Sequence, residues 1–310
     1  MYRPFFVAIK YVYMKLLHVE ASTYCNARCP LCPRSLYGYK VEGVWPEVHL
    51  TVDKFKECLA KFPEREYVYF NGHLGDPMMN PKIVELALLT GCRTSVTTNG
   101  SIGTKETWQS LAKNKIEGIF SIDGLEDTNH IYRQDVQWDK IMDRVKWFID
   151  AGGHATWKWI PFKHNIHQKE ETEKLSKQLG FKKFFAEDQG RSFGPALDKE
   201  GKKITHWILP PDGSKQPHPY DIPAGIQRYK ETHQNFQVEP RLYNIQCEYL
   251  LRKDTYINAK GEIGPCCYHG YDMPGRPFVK VEDHPKLMAS WKTKKCNPVC
   301  ANTCGKGFLD

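Results

Sequence analysis

The chain has 310 residues, 41% hydrophobic and 13% aromatic, enough for a packed core in one large domain or two smaller ones. A formal charge of +8 raises the prospect of an acidic partner such as nucleic acid, but no run of five basic residues occurs and a solvated basic surface is the better reading. Eleven cysteines without a secretory leader argue against a disulfide scaffold, and no apolar run reaches the length of a membrane span.

The opening, "MYRPFFVAIKYVYMKLLHVEAS", is broken by Lys10 and Lys15 and lacks a small-residue cleavage site, so reduced thiols and a cytoplasmic protein are expected. "KLLHVEAS" then reads as a strand running into "STYCNARCPLCPRS". "TVDKFKECLAKFP" is a helix with Thr51 as N-cap and Pro63 as stop. Its apolar face holds Phe55, Cys58, Leu59 and Phe62, which makes Cys58 a core residue, as Cys92 is expected to be further on. "EYVYFNG", "RTSVTTNG", "IEGIFSIDG", "HATWKWIPF" and "FKKFFAED" read as further strands. Between them lie "NPKIVELALLTG", "TKETWQSLAKN", "WDKIMDRVKWFIDAGG" and "QKEETEKLSKQLG" as helices. The third of these places Trp138, Ile141, Met142, Val145 and Ile149 on one face.

Six strands alternating with helices predict an α/β fold with a parallel sheet, and its functional loops belong at the carboxyl ends of the strands. After residue 188 the texture becomes rich in Pro, Gly and charge, as either a connector or a substrate-facing excursion. "TYINAKGEIGPC" has the look of a hairpin that would fold Cys266 back towards Cys247. The expected divisions are 1–187, 188–243 and 244–310.

Three cysteines spaced C-x3-C-x2-C, with no fourth nearby, do not complete a tetrahedral zinc site. They can hold three corners of a 4Fe–4S cube and leave one iron open. Here the sequence resembles the radical S-adenosylmethionine (SAM) enzymes, whose signature is met by Cys25, Cys29 and Cys32, with Leu31 where an aromatic is common. "NGHLGDP" resembles that family's G-G-E-P motif through Gly75, Asp76 and Pro77, with Asp in place of Glu. "VTTNG", ending in Asn99 and Gly100, resembles the turn after the third strand. "FSIDG", with Arg133 ten residues after Asp123, resembles the Ser and Arg that hold ribose and carboxylate, here Ser121 and Arg133. The resemblance implies a partial (β/α)6 TIM-like barrel, a SAM-binding 4Fe–4S cluster, and reductive cleavage of SAM to a 5′-deoxyadenosyl radical. It further implies hydrogen abstraction from a peptide side chain or small metabolite, ending in oxidation, cross-linking or epimerisation. An electron donor such as flavodoxin or ferredoxin is implied as a partner.

Cys247, Gly261 and Cys266 resemble the opening of the SPASM or twitch extension, a small C-terminal cysteine-rich domain. That resemblance implies a second, auxiliary 4Fe–4S cluster on Cys247, Cys266, Cys300 and either Cys296 or Cys304. Four thiolates suit zinc equally well, so the metal stays open. Cys267 is either a buried thiol or a catalytic hydrogen donor facing the substrate. His164 and His167 could touch a substrate or sit on a polar surface, and Tyr24 and Arg28 should shape the first cysteine loop. Two other readings compete: modification of RNA or a nucleotide, and a non-catalytic iron–sulfur or zinc module.

Overall fold

In the computed structural model, residues 15–187, 193–232, 240–271 and 278–308 are described. The opening segment up to residue 14, on which the expectation about a leader was based, therefore lies outside the described residues.

Strand β1 (Leu16–Val19) feeds the cysteine loop, and helix α1 (Val52–Leu59) returns to β2 (Tyr67–Asn71). The pattern repeats through α2 (Ile83–Leu89), β3 (Arg93–Thr98), α3 (Lys105–Lys113) and β4 (Glu117–Ser121). After the short α4 (Asn129–Tyr132) come α5 (Trp138–Asp150), β5 (Ala155–Trp159), α6 (Lys169–Gln178) and β6 (Lys183–Ala186). These six strands are parallel and paired in chain order. The α/β architecture read from the alternation is thus the architecture observed.

Period-two alternation explains the layering. Leu17, Val19, Val68, Phe70, Val96, Phe120, Trp157 and Trp159 are buried against Phe55, Leu86, Trp108 and Val145 from the helices. The intervening residues, among them His18, Tyr69, Thr97, Ser121 and Lys158, turn a largely polar set of side chains to the other face. Helix ends follow local chemistry. Thr51 accepts from Lys54 N at 3.3 Å, and Thr104 caps α3 in the same way. Helix α5 buries Ile141 and Val145 as expected, but also Phe148, which stacks edge-on against Phe120. Cys58 lies in the core; Cys92 sits one residue before β3 and is only half-buried, packed on the rim.

The C-terminal part is not detached from this sheet. The excursion contributes an antiparallel pair, β7 (Gly194–Leu197) and β8 (Ile204–Ile208), and helix α7 (Ile222–Thr232). Beyond β9 (Tyr243–Ile245) and α8 (Glu248–Arg252), strand β10 (Asp254–Ile257) pairs in parallel with β1, and β11 (Ile263–Gly264) closes the expected hairpin. The eight-stranded order is therefore β11-β10-β1-β2-β3-β4-β5-β6. Helices α9 (His284–Ser290) and α10 (Pro298–Cys304) follow, and β12 (Gly305–Phe308) pairs with β9.

Candidate functional site

The cysteine loop leaves the carboxyl end of β1 and is pinned on several sides. Arg28 donates to Gly38 O at 2.8 Å and pairs with Asp135 at 2.6 Å, while Tyr24 O accepts from Asp76 N at 2.8 Å. The loop turns tightly at Cys29, with Cys32 N donating to Cys29 O at 3.0 Å. Cys29 packs with Tyr132, Ile160, Phe162 and Ile208, so β8 of the excursion covers the loop. Tyr229 of α7 donates to Pro33 O at 3.1 Å and accepts from Trp45 Nε1 at 3.2 Å. Residues 193–232 are thus built onto the cysteine loop.

The loop after β2 approaches from the next strand end. A Cβ on Gly75 would stand 2.1 Å from Ser22 O, so only glycine permits this crossing of two backbones. Asp76 is buried and its carboxylate is fully engaged. It accepts from Asn99 N at 2.8 Å, Thr98 Oγ1 at 2.9 Å and Met78 N at 3.0 Å. Pro77 opens the short turn that follows. Asn99 then reaches the cysteines, with Nδ2 donating to Asn26 Oδ1 at 2.8 Å and standing 3.9 Å from Cys25 Sγ. Asp76 therefore ties three strand ends together rather than offering a free carboxylate.

Ser121 is buried at the end of β4, in register with Lys158. Arg133, capping α4, donates from Nε to Asp123 Oδ2 at 2.6 Å and from Nη1 towards Cys29 Sγ at 3.6 Å. Burial opposes the Arg133 charge, but the Asp123 carboxylate outweighs it and the guanidinium pKa is raised. Asp123 itself accepts from Ile160 N at 2.7 Å. It was visible in "SIDG", yet its task as the anchor of Arg133 could not be read without the fold.

The second cysteine group gathers around a cavity lined by Cys247, Cys266, Cys300 and Cys304, together with His269, His284 and Trp291. Asn297 caps α10 by accepting from Val299 N at 3.0 Å and Cys300 N at 3.3 Å. One helical turn then puts Cys300 and Cys304 on one face. Cys296 precedes the cap, outside the helix. It is buried against Leu287, Cys300 and Ala301 and donates to Asn297 O at 3.6 Å, away from the cavity lining. His269 Nε2 lies 3.7 Å from Cys300 Sγ.

Cys267 starts the turn after Cys266 and packs beside Leu74, Tyr256 and Tyr271. Exposed Tyr268 meets His73 edge-on, so this turn touches the loop that carries Gly75. His167 is exposed, whereas both ring nitrogens of His164 are buried without a hydrogen-bond partner among the described residues. Burial, then the nearby His206 and His130, push the His164 pKa down to about 4.

A partial barrel with a cysteine loop at the carboxyl end of its first strand defines a class, and the match to the radical SAM superfamily model over residues 19–173 names it. The chain belongs to the radical SAM superfamily, whose members are enzymes. Among curated proteins it is similar to the "tungsten-containing aldehyde ferredoxin oxidoreductase cofactor-modifying protein" of Pyrococcus furiosus. That pair is 24% identical over 273 residues, 82% of this chain and 71% of the relative. Among solved structures it is similar to Streptococcus suis SuiB, at 17% identity and a TM-score of 0.55, covering 93% of this chain and 67% of that one. Native anSMEcpe with bound AdoMet gives 14%, a TM-score of 0.54, and coverage of 90% and 81%. At these identities the structures speak for the fold.

The family implies a 4Fe–4S cluster and SAM. The donor set on the first loop fits such a group. Its three cysteines form no disulfide, and the Cys25 sulfur accepts from Ala27 N at 3.4 Å. Burial first, then the neighbouring Cys29, pushes the Cys32 thiol up to about 11, and burial followed by Asp76 and Cys29 pushes the Cys25 thiol higher.

Proposed function

We propose that this radical SAM enzyme modifies a peptide side chain and carries two iron–sulfur centres. Cys25, Cys29 and Cys32 would hold the first, and Cys247, Cys266, Cys300 and Cys304 the second. The observation that carries the reading is the meeting, at adjacent strand ends, of the cysteine loop, the Gly75–Pro77 loop and Arg133. When bound, the cluster and SAM supply a 5′-deoxyadenosyl radical by one-electron cleavage of the sulfonium.

The chain's own residues bind, orient and shield. The Gly75–Pro77 backbone receives the SAM amino group, because the Asp76 carboxylate already serves three internal donors. Arg133, held by Asp123, presents the rest of its fork towards the cysteine loop and a carboxylate there. Ser121 and Asn99 are buried at the same strand ends, where Ser121 would hold the ribose and Asn99 braces the cysteine loop through Asn26. Ile208, Phe162 and Tyr132 exclude water from Cys29.

For the second centre, Cys247, Cys266, Cys300 and Cys304 line one cavity, one thiolate for each iron of a cube, with zinc as the competing occupant of the same four sulfurs. Cys267, next to Cys266 and packed beside Leu74 of the loop after β2, is the thiol this reading assigns to return a hydrogen atom to substrate.

Peptide is favoured because SuiB has been solved with precursor peptide SuiA, and anSMEcpe with the Cp18Cys peptide. The cofactor-modifying relative favours a second reading, a small metabolite or cofactor as substrate. Electrons would come from a flavodoxin or ferredoxin. The test is anaerobic reconstitution followed by reduction with SAM. Appearance of 5′-deoxyadenosine is expected; intact clusters with no nucleoside released would overturn the reading.

A further inference from the structure

Glu20 follows β1 directly and its side chain is completely buried. One carboxylate oxygen, Oε1, accepts from Leu74 N at 2.6 Å and Gly75 N at 2.9 Å. The other accepts from the Tyr256 hydroxyl of β10. Tyr256 packs with Leu74 and Tyr271, and Tyr271 in turn accepts from Ala259 N at 3.0 Å. Asn258, two residues after Tyr256, donates to Gly270 O at 2.6 Å and so ties the hairpin to the turn carrying Cys266 and Cys267. One side chain thus joins the end of β1, the loop after β2 and the C-terminal hairpin.

A carboxyl group in such a place is costly, and an apolar residue of similar size would pack there without that penalty. Its retention follows from the loop. Gly72 to Gly75 is too tightly crossed to satisfy its own N–H groups, since a Cβ on Gly72 would fall 1.6 Å from Gly75 O. Two buried donors need one outside acceptor at a fixed point, and Glu20 Oε1 is that acceptor.

We propose that Glu20 is a positioning residue. It sets the Leu74–Gly75 backbone for SAM and, through Tyr256, makes SAM affinity depend on how the C-terminal hairpin is docked. This rests on the reading that Gly75–Pro77 receives SAM. Oε1 accepts both N–H groups whether or not the other oxygen carries a proton, so an amide oxygen can replace it.

The test is SAM affinity of the anaerobically reconstituted holoenzyme by equilibrium dialysis with labelled SAM, alongside iron content and urea midpoint. Glu20→Ala should raise the SAM Kd about tenfold or more at unchanged iron content, and Glu20→Gln should stay within about threefold of wild type. Tyr256→Phe, which removes one hydroxyl and is the safeguard should Glu20→Ala fail to fold, should weaken SAM binding about threefold. Wild-type SAM affinity in Glu20→Ala or in Tyr256→Phe, with only the urea midpoint lowered, would reduce Glu20 to a structural residue and overturn the proposal. Wild-type protein that keeps its iron yet binds no SAM would instead remove the reading of Gly75–Pro77 beneath it.

Discussion

Arg133 and Asp123 form an ion pair in which the carboxylate side chain has no exposure and the guanidinium little. Removing one partner from such a pair strands the other in a medium that cannot solvate it. Arg133→Leu should therefore lower stability by about 3–5 kcal/mol, and adding Asp123→Asn should recover part of the loss, as read from urea unfolding. A single variant within about 1 kcal/mol of wild type would show that Asp123 finds another partner. Arg133 was legible in the sequence because it follows a recognisable strand ending at fixed distance. Asp123, Glu20 and Asn80 were not, although each fixes a loop. Their partners lie far along the chain, and an acid or amide near a strand end has no periodicity to mark its task.

At the scale of elements, the sequence pattern located all six parallel strands and the C-terminal hairpin, because alternation and capping are local signals. The parallel insertion of β10 beside β1 was not legible, since pairing across more than two hundred residues leaves no local trace. The equal spacing of Cys296, Cys300 and Cys304 also left two choices open. Helix α10 breaks that symmetry: its N-cap at Asn297 leaves Cys296 outside the helical face shared by the other two. Cys304→Ala should accordingly lower the iron content of reconstituted protein by up to about four per chain, and Cys296→Ala should leave it near wild type. Iron counts in the reverse order would place Cys296 in the second centre.

At the scale of the molecule, buried titratable groups set how stability answers to pH. Burial, with Arg252's charge adding to it, pushes the His18 pKa down to about 4 against an opposing bond to Asn71 O, and His164 falls to about 4 as well. Between their ordinary 6.5 and that value the unfolded chain binds more protons, so stability falls as pH drops through this window. Glu20, raised to about 7 by burial against the bonds from Tyr256 and the Leu74–Gly75 backbone, works the other way. Its folded form holds a proton that the unfolded form releases, so its contribution is lost as pH rises from about 4.5 to 7. His164→Gln should flatten the acid limb by about 1.4 kcal/mol per pH unit between pH 6 and 5, measured as urea stability. An unchanged slope would remove His164 from the balance.

Because β10 lies against β1, the ribosome must deliver residue 257 before residues 16–19 gain their second neighbour. Until then the nascent barrel exposes an unpaired row of amide and carbonyl groups beside the cysteine loop, an invitation to pairing with another chain. Arrival of the C-terminal hairpin and protection of that edge are therefore one event in the life of this polypeptide.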